Sequence, residues 1–79
     1  MIYYVAMPLV PMDHGLVPGQ AVECPTPSSA IRRAEAMSHH EPNVGAIAFS
    51  RSGDPNLGEF DDAVILNTFG EVPDQFEYG

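Results

Sequence analysis

Three stretches of this chain, residues 2–10, 44–50 and 63–69, are apolar on both of their alternating sets of side chains, whereas a single stretch carries a helical stripe. In the first, Ile2, Tyr4 and Ala6 alternate with Tyr3, Val5 and Met7, and a strand of that kind needs cover on both faces. One helix covers one face of a sheet and no more. The expected fold class is therefore α+β: a small, mostly antiparallel sheet of three to four strands, with one amphipathic helix packed on one face and the other face needing a further layer.

The helix has a start signal with a mechanism. In Thr26-Pro27-Ser28-Ser29 a hydroxyl at the N-cap accepts from an orphan amide, and Pro27 at the first helical position gives up no bond there. The pattern predicts a helix over 27–40, with Ala30, Ile31, Ala34 and Met37 on its inward stripe, His39 and His40 in its last turn and Pro42 as the stop. Pro11, Gly15, Pro18 and Gly19 mark residues 11–20 as a loop, followed by a short extended piece at 21–24. Turn residues from Ser52 to Gly58 make the segments 44–50 and 63–69 a hairpin with a long acidic loop. A helix over 59–66 is the competing reading, and β-branched Val64, Ile65 and Thr68 favour the strand. Residues 1–73 read as one domain and the tail from Asp74 as a mobile acidic end.

A chain of 79 residues buries a small share of its surface, and the usual reinforcements are missing. Cys24 stands alone, so it forms no internal disulfide, and no Cys/His spacing matches a structural zinc site. No apolar segment approaches the ~20 residues of a membrane span. A cytoplasmic protein with a reduced thiol is expected. Self-association is the natural remedy for a thin core: Tyr3, Val5, Ile47, Phe49, Val64 and Leu66 need another layer, and a second copy supplies it, making a homodimer. Within one chain, the alternative cover is the 11–20 loop with Leu16 and Val17.

Charge narrows the partners. The chain has no lysine, its cations are Arg32, Arg33 and Arg51, and its formal net charge is −8, which argues against direct nucleic-acid binding. Asp54, Glu59, Asp61, Asp62, Glu71, Asp74 and Glu77 follow one another with no basic residue between them. An acidic surface of this kind aids solubility and steers basic protein partners. Arg51, Asp54, Glu59, Asp61 and Asp62 form the candidate interaction surface. A narrower version of the same idea is an acidic mimic of DNA that occupies the cationic groove of a nucleic-acid-binding protein.

No catalytic constellation emerges, and the reading is non-enzymatic, with no catalytic, cofactor or metal residue assigned. His39 and His40 diverge by about 100° on a helix and do not chelate one ion together with Glu41 and His14. The acidic turn from Asp54 departs from the calcium-loop pattern. Asp61 and Asp62, adjacent in a strand, point to opposite faces and make no carboxylate dyad. Cys24 lies beside Glu23, whose charge disfavours the thiolate. The alternative function is a small-molecule or metal-binding domain using Cys24, Arg51 and the 51–62 loop, with Arg51 holding a carboxylate or phosphate by its fork.

The stretches Pro8-Leu9-Val10-Pro11, Ala30-Ile31-Arg32-Arg33-Ala34-Glu35-Ala36, Ala48-Phe49-Ser50-Arg51-Ser52-Gly53-Asp54-Pro55, Gly58-Glu59-Phe60-Asp61-Asp62-Ala63 and Phe69-Gly70-Glu71-Val72-Pro73 resemble those of short bacterial proteins of similar length. That likeness spans most of the chain, implies a bacterial cytosolic protein, carries no activity with it and transfers no site residues.

Overall fold

The computed structural model describes residues 1–54, 56–60 and 62–72, with Asp54, Glu59 and Phe60 described for their backbone alone; the tail from Asp74 lies outside the described residues. The elements run β1 (Ile2–Met12), β2 (Gly15–Pro18), β3 (Val22–Cys24), α1 (Pro27–Ser38), β4 (Gly45–Asp54), β5 (Glu59–Phe60) and β6 (Val64–Gly70). All pairings are antiparallel. Among the described residues the strands number six, above the expected three to four, because both outer positions of the sheet are shared by two segments. β1 and β4 form the centre, in register from Ile2 opposite Ser52 to Leu9 opposite Gly45. The outer edge of β1 is paired by β3 near its start and β2 near its end, and that of β4 by β6 and then β5.

The stretch expected as a loop over 11–20 is largely hairpin. β1 continues through Met12, turns at Asp13 and His14, and returns as β2 with Gly15 opposite Met12 and Pro18 opposite Leu9. Pro18 is compatible with this because β2 is an edge segment with no further neighbour to supply with a donor, and Pro11 lies beyond Leu9, where the pairing of β1 with β4 ends. Pro8 is the more demanding case, since it is buried inside a central strand. Its carbonyl accepts from the Gly19 amide at 2.8 Å. In an extended chain a residue's N–H and C=O point to the same side, so the donor Pro8 lacks would have faced the interruption between β2 and β3, where no strand asks for it.

The helix begins as its sequence dictates. Thr26 Oγ1 accepts from the Ser29 amide at 3.1 Å, and Ser29 Oγ accepts from the Thr26 amide at 3.1 Å, a reciprocal cap. It ends at Ser38, two residues before the expected 40. His39 is the C-cap, and the His39 and His40 amides close the last turn onto the carbonyls of Ala36 and Met37 at 3.2 and 3.0 Å. Asn43 reaches back with its Nδ2 and gives the same Met37 carbonyl a second donor at 3.0 Å.

α1 lies against the sheet through alanines. Ala30 and Ala34 from the helix meet Ala6, Ala46 and Ala48 from β1 and β4, and all five are fully buried. Methyl groups on both sides let helix and sheet approach closely, and Tyr4, Cys24, Ile31, Met37, Leu66 and Phe69 fill the rim. Leu66 and Phe69 are three apart and would fall on opposite faces of a regular strand. A bulge resolves this: Phe49 pairs with Ile65 and Ala48 with Asn67, leaving Leu66 as the extra residue and bringing it to the helix side.

Candidate functional site

The site is the sheet face turned away from α1. Strand alternation puts Tyr3, Val5, Met7 and Leu9 of β1 on that face, opposite Arg51, Phe49, Ile47 and Gly45 of β4 respectively. At one end the face is closed, since Leu9 and Ile47 are fully buried although neither joins the helix-side cluster. Toward the other end it opens. Tyr3, Val5, Met7, Phe49 and Ile65 are half-buried, and Arg51 is exposed.

Two concavities shape this open end. One of about 440 Å³ is lined by Tyr3, Val5, Ala21, Glu23, Phe49 and Arg51, and its neighbour of about 270 Å³ by Met7, Phe49, Arg51, Ala63 and Ile65. Phe49 and Arg51 belong to both and form the ridge between them. The floor is thus hydrocarbon, with one cation on the ridge and one anion at the far side. Glu23 stands opposite Val5 on β3 and Arg51 opposite Tyr3 on β4, so the two charges flank β1 on its two sides. Strand spacing and rise put their Cα atoms roughly 12 Å apart. Among the described residues no ion pair joins Glu23 to Arg51.

The structure distributes the residues singled out in the sequence unevenly. Of the six expected to need another layer, Tyr3, Val5 and Phe49 lie on the open end of this face, and Ile47 lies on its closed end. Leu66 packs on the helix side instead, through the bulge, and Val64, opposite Ser50, is 59% exposed. Cys24 is half-buried on the helix side with its Sγ donating to the Val22 carbonyl at 3.7 Å, so Cys24 and Arg51 stand on opposite faces of the sheet. His14 is in the β1–β2 turn, and His39 and His40 are at the far end of α1, about 18 Å of helix away from the Cys24 end. The geometry does not bring the thiol and an imidazole together.

Asp54 and Glu59 are register partners at the start of β5, and Asp62 is exposed just before β6; Asp61 lies outside the described residues. The side chains of Asp54 and Glu59, the acids nearest Arg51 along the chain, are outside the described set. No group of three or more His, Cys, Asp or Glu able to hold a metal is found among the described residues. Nor is any helix among them long and apolar enough to cross a membrane. A third concavity, of about 290 Å³, lies at the end of α1 between Arg33, Ala36, Met37, His40 and Asn43, and the Asn43 amide there is already engaged.

Sequence reasoning missed Ala21, Glu23, Met7 and Ile65 as members of the open face. Alternation along 2–10 had placed Met7 with Tyr3 and Val5, but the register of β3 and the bulge in β6 decide the others. Together these features define a small α+β protein with an open, apolar, sparsely charged sheet face. No family model matches the chain, and no curated protein or solved structure does either.

Proposed function

We propose that this is a non-enzymatic interaction protein of the cytoplasm that acts as a homodimer, two copies meeting through their open sheet faces. The observation that carries the reading is the half-buried apolar set Tyr3, Val5, Met7, Phe49 and Ile65 on the face that α1 leaves uncovered. Each such side chain gains about 1.5–3 kcal/mol on full burial relative to full exposure, and these have realised only part of that within one chain. The alternative cover, the 11–20 segment, is instead a hairpin in which β2 pairs beside the end of β1 and extends the sheet. The face also carries both signs of charge, which suits a surface that must complement itself.

Mass action gives the test. A dimer that unfolds to monomers has a thermal midpoint that rises with concentration, by roughly 4 °C for each tenfold increase at this size. A midpoint independent of concentration over two decades would remove the proposal.

A second reading has one observation in its favour. Arg51 projects from an apolar concavity whose volume suits a small ligand, and its fork matches a carboxylate. On that reading a hydrophobic carboxylic acid raises the thermal midpoint of the native chain and leaves Arg51→Gln unmoved.

A further inference from the structure

Resting on the dimer reading, we infer that Glu23 and Arg51 fix how the two copies are oriented, each Arg51 meeting the Glu23 of the second copy. An apolar patch alone sets no direction, because hydrocarbon contacts are nearly indifferent to sliding and rotation. The charges supply what the patch lacks. They sit on opposite sides of β1, both exposed and both at the rim of one concavity, with no ion pair between them within the described chain. Two faces packed against each other are related by a two-fold axis lying in the interface. An axis that crosses β1 between Tyr3 and Val5, perpendicular to the line from Glu23 to Arg51, carries each charge onto the position of its opposite. Tyr3, Val5 and Phe49 then lie at the centre, and the two ion pairs lie at the periphery. The reverse arrangement opposes Arg51 to Arg51 and Glu23 to Glu23, and like-charge contacts disfavour it.

Charge reversal tests this through coupling. Glu23→Arg, Arg51→Glu and the double variant are compared with the native chain by sedimentation equilibrium at low salt, with circular dichroism confirming that each retains the native fold. Both residues are exposed, so the monomer fold is expected to survive. Each single reversal creates two like-charge contacts per dimer and is expected to weaken the dissociation constant at least about tenfold. The double reversal exchanges the signs and is expected to return to within about threefold of native. A native dimer in which the two reversals are additive, or have no effect, overturns the orientation while the dimer itself stands. A native chain that stays monomeric overturns both.

Discussion

Gly45 and Gly70 stand directly opposite each other where β4 and β6 meet, and neither position has room for a methyl group. A Cβ on Gly45 would fall on the backbone carbonyl of Glu71, and one on Gly70 would come within 2.5 Å of the Val44 carbonyl oxygen. Gly70 also has φ +68°, in the left-handed region. The close approach lets the Glu71 amide donate to Val44 at 3.0 Å and holds the end of β6 in place. Gly45→Ala and Gly70→Ala are each expected to cost more than about 2 kcal/mol, read as a fall in the urea midpoint. A change under about 0.5 kcal/mol would mean that the two backbones separate easily.

The alanine contact between α1 and the sheet makes a prediction of opposite sign to ordinary core filling. Ala34 is fully buried in one cluster with Ala6, Ala46 and Ala48. Ala34→Leu is expected to destabilise by about 1–3 kcal/mol, because the helix must lift away from the sheet. If stability rose instead, the helix would be standing off the sheet in solution.

Removing the helix cap is a milder change. In Thr26→Ala the Ser29 amide loses its acceptor at 3.1 Å, and the expected loss is about 1 kcal/mol in equilibrium unfolding. Thr26→Asp should be nearly neutral, since a carboxylate accepts the same bond and complements the helix dipole. Equal losses from both would assign the effect to packing and not to the cap.

Much of this fold was legible in the chain. Thr26 and Pro27 announced the helix start, and the stripe Ala30, Ile31, Ala34 and Met37 named its inward side, because caps and periodicity are local properties. The strands around Val5, Phe49 and Ile65 were legible for the same reason. The 11–20 hairpin was not, because Pro11, Gly15, Pro18 and Gly19 are punctuation by local rules, and only pairing with β1 makes an edge strand of them. The candidate surface was half-legible. Alternation gave Tyr3, Val5 and Phe49, whereas Glu23 joins them through the pairing of β3 with β1, and Leu66 leaves them through a bulge that no local pattern encodes. Arg51 was singled out for its fork, yet its setting on an apolar ridge depends on register.

The most direct measurement is the mass in solution, by light scattering at tens of micromolar, of the native chain beside Phe49→Asp. Phe49 is the ridge shared by both concavities and is only half-buried within one copy, so an aspartate there leaves the helix-side core intact and places two carboxylates in the dry centre of a dimer. The expected result is twice the chain mass for the native protein and a folded monomer for the variant. A native monomer, or a dimer that Phe49→Asp leaves undisturbed, would contradict the claim that the open sheet face is where this protein meets its partner.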